Sequence, residues 1–416
     1  MTNHPTIPGS NYHQGGGHAW WVWAIATVFV LYVFGVQTIF AIVQPSIRAD
    51  LQLSLTQIAL VGSVYTWAFA FFQFFSGPIL DSFGARKALI PAVAFSVLGV
   101  WLYATSQDIT MLLLAQLVMA VGAVFGFVGA GYIGGMWFGM ASFGVMFGYV
   151  ETSSSIASAF EQQLTTLALK YITWRELLSW VGGAGIVLWV FTLIWVRNPA
   201  PIPKSTTPIV TKVTSGLVTF LKMPQGWLVG IWGGITFGIN LAVGVIWAPV
   251  IMTGKGFDSD LSNWAASLVW LGLGIGSLFW PRWSNWARSR KKPALIGIAI
   301  QAATLAAIIL LPGSFPVWVF FLLWLANGIS SANEMIAFQS AADMVKPSQA
   351  GSSASFINGL MFIIGGVLMN VPAHLLGADE KFDVVAYLPY VGVLILAFLI
   401  ASIQRETFPK ASPEKV

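Results

Sequence analysis

Three glutamates fall well inside long apolar stretches of this sequence: Glu151, Glu161 and Glu334. An ionisable side chain in the middle of a membrane-spanning helix costs about 3 kcal/mol on insertion scales, so such a residue is a functional candidate by default. A carboxyl group there can load a proton from one side and release it to the other as its exposure alternates, and it can pair an ammonium group. None of the three stands alone. At 100° per residue, Glu161, Ser154, Ser158, Glu151, Gln162 and Ser155 lie within about 120° of one helix face. Asn327, Ser330, Ser331 and Glu334 lie within about 100° of another. Polar stripes of this kind are expensive against lipid, so both are expected to face an aqueous cavity. The alternative for each carboxyl is a permanently protonated, hydrogen-bonded group, and for Glu161 that plainer role is preferred. Asn358 and Asn370 either reach the same cavity or hold helices together through hydrogen bonds.

What is missing narrows the chemistry further. No Lys or Arg lies in the middle of an apolar stretch. A phosphate ester or dicarboxylate needs a fixed cation to replace its water, so a neutral, zwitterionic or cationic partner fits better. There is no cysteine, which excludes disulfides and thiolate metal sites. Of the four histidines, three (His4, His13, His18) sit in the first 18 residues without acidic partners, and His374 is isolated. No metal site or cofactor is expected, and a catalytic arrangement of Ser/His or paired His and Asp is absent.

The elements that carry these groups are apolar segments. The chain is 57% hydrophobic and 8% charged, against about a quarter charged for a water-exposed domain. Lipid must be its solvent. Twelve segments can be read, the first six at about 19–43, 56–80, 86–105, 109–138, 142–170 and 174–196. The second six run at about 226–252, 261–281, 293–312, 315–341, 349–374 and 384–403. Each is long enough to cross a hydrocarbon core of about 30 Å as a helix.

Basic residues set the orientation. Arg86, Lys87, Arg197, Lys204, Lys212, Lys222, Arg282, Arg288, Arg290, Lys291, Lys292, Lys346, Arg405, Lys410 and Lys415 fall in alternate gaps and the C-terminal tail. The other gaps hold only Arg48, Lys170, Arg175, Lys255 and Lys381. Basic loops mark the cytoplasmic side, which puts both termini inside. The expected organisation is a flexible cytoplasmic tail at 1–18, a six-helix bundle at 19–196, a cytoplasmic linker at 197–225, a second six-helix bundle at 226–403 and a cytoplasmic tail at 404–416. Net charge +5 reflects this sidedness, and no basic helix face points to nucleic acid.

The halves resemble one another at an offset of about 204 residues, as expected of a repeated bundle. Tyr32 then corresponds to Thr236, and Gln37 falls one residue from the counterpart of Asn240. Polar groups thus recur at matching depth in segments 1 and 7. Of the twenty tryptophans, Trp20, Trp21, Trp23, Trp174, Trp227, Trp280, Trp283 and Trp286 lie near segment ends, where aromatic belts form. Trp67, Trp232, Trp247, Trp264 and Trp270 are deeper, and one or two of them are expected to line the cavity.

Between segments 2 and 3 the chain reads Gly77-Pro78-Ile79-Leu80-Asp81-Ser82-Phe83-Gly84-Ala85-Arg86-Lys87. Gly77 permits close helix approach, Gly84 supplies a turn that a side chain would strain, and Asp81 can accept from a helix end or a basic group. This spacing resembles the loop signature of the major facilitator superfamily. Applying the offset lands on Pro281 to Lys291, where the register survives, the acid is replaced by Asn285 and the glycines are lost. Two departures qualify the resemblance. The stretch Trp137-Phe138-Gly139-Met140-Ala141-Ser142 lacks the basic residues that many relatives carry after segment 4. Segment 5 lacks the Gly-Pro pair similar to drug/proton antiporters, which disfavours multidrug export.

The resemblance implies an all-α integral membrane protein with twelve transmembrane helices in two pseudo-symmetric six-helix bundles. Segments 1, 4, 7 and 10 would line the cavity. The implied activity is secondary active transport of a small polar organic solute by alternating access, coupled to protons, with import favoured. The alternatives are a proton-driven efflux pump for amphipathic drugs or metal chelates, and a proton-independent exchanger of organic anions. Its partners would be the solute, protons and the bilayer, and a monomer suffices. The expected location is a plasma membrane of the prokaryotic inner-membrane kind.

Overall fold

The computed structural model describes residues 6–7, 12–201, 208–376 and 383–409. Lys204, Lys381, Lys410 and Lys415, half of the predicted N-terminal tail, and the side chains of Gln162 and Lys212 lie outside the described residues. The helices run α1 Gly17–Asp50, α2 Leu55–Ala104, α3 Ile109–Ala123, α4 Gly126–Phe138, α5 Phe143–Ala168, α6 Trp174–Trp195 and α7 Ile209–Leu221. They continue with α8 Pro224–Ala242, α9 Ala248–Gly254, α10 Ser259–Trp286, α11 Lys291–Leu310, α12 Val317–Ser331, α13 Met335–Asp343, α14 Ala350–Leu375 and α15 Leu388–Ile403.

Among the described residues, ten stretches are long and apolar enough to cross a membrane. One of them, Leu60–Ala104, holds 45 residues. At 1.5 Å per residue it would reach about 68 Å, twice the hydrocarbon thickness, so it makes two crossings. The break is at Gly84, whose φ of 75° and ψ of 167° no helix interior allows. α5 is absent from the ten because its Glu, Ser, Thr and Gln residues dilute its apolar content. With that second crossing and α5, ten become twelve.

Three of the predicted segments are broken. Segment 4 is divided between α3 and α4 at Val124 and Phe125. Segment 7 carries a π-helical turn, Val243–Trp247, between α8 and α9. In segment 10 a 3₁₀ turn, Ala332–Glu334, separates α12 from α13. Irregular backbone at membrane depth is tolerated only where protein or a wet cavity satisfies the freed groups, and π turns concentrate at functional sites.

The chain divides into two compact units, residues 1–219 with 348–359, and residues 220–347 with 360–416. The first is held by a cluster that includes Val36, Phe40, Val61, Tyr103, Leu112, Met119 and Trp174. At its edge Arg175 caps the end of α2, donating to the carbonyls of Ala104 at 3.0 Å and Ser106 at 2.6 Å. The second unit is held by close approach of α10 and α12. A Cβ on Gly328 would lie 2.2 Å from the Val269 carbonyl oxygen, and one on Gly276 would lie 2.2 Å from that of Ile329. Bare backbone is what lets these helices touch.

Two features differ from the expectation for the connecting segments. The stretch read as flexible tail is, over Tyr12 to Gly16, laid against the end of α4. The Gly15 N–H donates to the Trp137 carbonyl at 2.9 Å, and Tyr12 stacks on His18 with ring centroids 4.8 Å apart. Within the predicted linker, Ile209–Leu221 is helical, because its apolar residues recur at helical spacing.

Candidate functional site

In the first unit, α5 presents the predicted stripe. Glu151 is 5% exposed, Ser154 is buried with its hydroxyl donating to the Val150 carbonyl at 2.9 Å, and Ser158 is half-buried. α5 packs against α1 and α4. Glu161, half-buried, meets α1 at Gly35. Tyr32 and Gln37, from the same helix, line a crevice with Tyr65 and Ser96. It measures about 10 Å³, the room one water needs. Asn358 is 3% exposed, and its Nδ2 has no hydrogen-bond partner.

In the second unit, α8, α11 and α12 share a polar network. Thr236 and Asn240 are four residues apart and therefore on one face of α8. The Ser331 hydroxyl donates to Asn240 Oδ1 at 2.7 Å. The Gln301 amide donates to the Thr236 carbonyl at 3.0 Å. Asn327 Nδ2 donates to the Gln301 carbonyl at 3.1 Å and to the Thr304 hydroxyl at 3.0 Å. Asn240 Nδ2 stays buried without a partner. Glu334 is 0% exposed, on the 3₁₀ turn that packs against α8, α10 and α11. The structure thus joins Ser331 to Asn240 and Thr236 to Asn327 through Gln301.

The loop motif is equally specific. Asp81 accepts from the N–H groups of Gly351 (2.9 Å) and Ser352 (2.7 Å) and from the Ser352 hydroxyl (2.6 Å). Its partner is therefore the first turn of α14, where a negative charge meets free N–H groups and the positive end of the helix dipole. Gly77 lies so close that a Cβ there would sit 1.9 Å from the Gly351 carbonyl oxygen. The Arg86 N–H donates to Asn198 Oδ1 at 3.1 Å, and its guanidinium donates to the carbonyls of Val196 (2.8 Å) and Leu193 (3.2 Å). Lys87 is exposed.

The second copy of the motif is wired differently. Arg290, 204 residues after Arg86, pairs with Asp343 at 2.7 Å and donates to Asn285 Oδ1 at 2.7 Å. Its N–H donates to Glu406 at 2.7 Å. Burial pushes the Glu406 carboxyl up, but hydrogen bonds from Ser289 and the N–H groups of Arg290, Phe408 and Lys291 outweigh this and hold it below its ordinary value.

Several deep tryptophans serve their own unit. Trp232 donates to Gln404 at 2.9 Å, Trp247 to the Met369 carbonyl at 2.9 Å and Trp270 to the Gly244 carbonyl at 3.1 Å. Trp67 and Trp264 are exposed. The sequence reading missed the buried amides. Gln301, Gln116 and Gln73 are each 0% exposed, and neither amide atom of Gln116 has a partner. Their signal was a carboxamide inside an apolar segment, weaker than that of a charge.

These features have counterparts in known proteins. The sequence model described as Major Facilitator Superfamily matches residues 25–404. The cyanate transport protein CynX of Escherichia coli is 26% identical over 199 residues, which are 47% of this chain and 48% of that protein. The chain thus spans about half the length of that relative. An uncharacterized transporter of Bacillus subtilis, YybO, is 20% identical over 307 residues, 66% and 68% of the two chains. A probable L-galactonate transporter of Escherichia coli is 27% identical over 154 residues, 37% and 34% of the two. The crystal structure of the human organic anion transporter MFSD10 (TETRAN) superposes with a TM-score of 0.72 at 12% identity, covering 92% of this chain and 99% of that one, a likeness of fold. With twelve apolar crossings, the loop motif and a family match over almost its whole length, the chain is a multi-pass membrane protein that belongs to the Major Facilitator Superfamily.

Proposed function

We propose that the protein moves a small polar organic solute, neutral, zwitterionic or cationic, by alternating access coupled to protons. The observation that carries this reading is Glu334, fully enclosed on an irregular turn of a spanning segment, with Glu151 buried on the stripe of α5. Ionisable groups are kept at such depth for use, since a methylene or amide would pack at lower cost. Each carboxyl would accept a proton from water on one side and surrender it on the other, while hydroxyls and amides such as Ser154, Ser331 and Asn240 orient the solute. The absence of Lys and Arg from mid-segment positions supports a solute without strong negative charge. Basic loops support cytoplasmic termini in a plasma membrane.

A second reading is favoured by two relatives whose names refer to cyanate and L-galactonate. A small monovalent anion could be held by hydrogen-bond donors such as the unpartnered Asn240 Nδ2, with a proton on a nearby carboxyl offsetting its charge. A thermal-shift screen of the purified protein against amines, amino acids, sugars, monocarboxylates, dicarboxylates and metal chelates separates the readings, because a ligand raises the melting temperature in proportion to its saturation. Stabilisation by a neutral or cationic solute supports the first, by a monoanion only in acid the second. Stabilisation by dicarboxylates alone contradicts both.

A further inference from the structure

Gly35 sits in the middle of α1, where an alanine would favour the helix more. What occupies the space of its missing side chain is a carboxyl group. A Cβ built on Gly35 would lie 2.9 Å from Glu161 Oε1, 3.1 Å from its Cδ and 3.5 Å from Oε2. Gly35 itself is buried. Glu161 Oε2 is buried as well and has no hydrogen-bond partner. The carboxyl of α5 is therefore pressed onto bare backbone of α1, with its Oε2 shut off from water and left over.

Among the described residues of the elements packed on α5, the titratable groups stand apart from that oxygen. α5 packs against α1, α4 and the turn Met140–Ser142. On α1 the titratable groups are His18, Tyr32, Arg48 and Asp50, on α4 there is Tyr132, on the turn none, and α5 itself adds Tyr149 and Glu151. Tyr32 is one turn from Gly35, but a Cβ on Gly185 would lie 2.5 Å from its hydroxyl, which places that hydroxyl against α6. Arg48 is 13 residues on, about 20 Å along the helix. Glu151 is ten residues back on α5, about 15 Å. An ionised Glu161 in this seat would hold a charged, unpaired Oε2 out of water, whereas a protonated one needs no counter-charge.

We propose that Gly35 is a positioning residue: its bare backbone forms a seat that admits the Glu161 carboxyl in its protonated form, making Glu161 a proton-binding site of the first unit. This deepens the proton-coupled reading above and rests on it. The proton comes from water when the seat opens and returns to water when Glu161 leaves, so the bound species is one proton on one carboxylate oxygen. The glutamate that its stripe position alone made the weakest candidate gains a defined place, and segment 1 gains a part that no polar side chain reveals.

The test needs no solute. The full chain in lipid is treated with dicyclohexylcarbodiimide, which reacts with protonated carboxyls in apolar surroundings, and the labelled residue is read by mass spectrometry. The wild type should be labelled at Glu161 in acid and progressively less in alkali, and Glu161→Gln should abolish that label. Gly35→Ala should cut it about tenfold, the loss expected when roughly one pH unit's worth of proton binding is removed. The double variant Gly35→Ala/Glu161→Asp, which withdraws the carboxyl by one methylene, should recover label at position 161. Equal elution of all variants on size exclusion shows that they fold. Unchanged labelling in Gly35→Ala, or a double variant no better labelled than Gly35→Ala, overturns the seat. The proton-coupled reading fails on a different result: solute flux in the wild type that ignores a pH gradient.

Discussion

The hydroxyl of Ser331 donates to Oδ1 of Asn240 across 2.7 Å, tying segment 10 to segment 7 inside the second unit. Both residues are fully buried, and Glu334 follows three residues later on the same segment. Removing the hydroxyl leaves a buried amide oxygen unsatisfied, which costs about 1–3 kcal/mol. Ser331→Ala should therefore lower the melting temperature and slow transport, while Ser331→Thr, which keeps the hydroxyl, should preserve more of both. Melting curves with flux in proteoliposomes check this.

Asp81 gathers three hydrogen bonds from the first turn of α14, two from backbone N–H groups and one from Ser352. Asp81→Ala should destabilise the protein by about 2–4 kcal/mol, since hydrogen bonds to a charged acceptor are worth about 1.5–3 kcal/mol each and are not additive. Ser352→Ala, which removes only one, should cost about 1 kcal/mol. Equal losses in chemical denaturation would show that the hydroxyl, and not the helix start, is what Asp81 holds.

Glu406 gives a pH prediction with a definite sign. Its carboxyl is held below its ordinary value in the folded chain. Its contribution is complete above the unfolded value of about 4.3 and fades as pH falls through the lower folded value. Glu406→Gln should therefore melt below the wild type at neutral pH, with the gap closing in acid. The carboxyl is exposed at its edge, so the difference should be only about 1 kcal/mol after solvent screening. Melting temperatures of the two proteins across an acid series measure it.

Close backbone contact makes Gly328 intolerant of a side chain. An added Cβ would meet the Val269 carbonyl oxygen at 2.2 Å and the Gly272 Cα at 3.0 Å. Gly328→Ala should push α12 from α10 and cost about 1–3 kcal/mol. By contrast, Gly392→Ala should be neutral or stabilising, because nothing lies within 4 Å of a Cβ there. Yield and melting temperature after purification distinguish the two.

The twelve crossings and the two-bundle organisation were legible because lipid demands long apolar runs and because charge marks their ends. The Gly77 to Lys87 motif was legible because its turn and acid need fixed residue types. The 204-residue offset aligns Arg86 with Arg290, and in each unit the N–H of that arginine is taken by a side chain just beyond the unit's sixth segment, Asn198 or Glu406. The breaks at Val124, Val243–Trp247 and Ala332–Glu334 were not legible. No proline lies inside them, but Pro249 stands just after the π turn and has no N–H to give the Val245 carbonyl, a signal that the long apolar run concealed. Nor was the role of Asn327: its stripe position is compatible with a cavity, yet its amide is spent on Gln301 and Thr304 of α11. A helical wheel gives direction around one axis and says nothing about which neighbour stands there.

The most direct measurement is uptake by proteoliposomes of the solute that stabilises the protein most in the thermal screen, with and without an imposed pH gradient. The wild type should accumulate it when the outside is acidic and stop when the gradient is collapsed. Glu151→Gln and Glu334→Gln should each lose that pH dependence while still binding the solute. Uptake by both variants that follows the gradient as the wild type does, or wild-type uptake indifferent to it, would contradict the account.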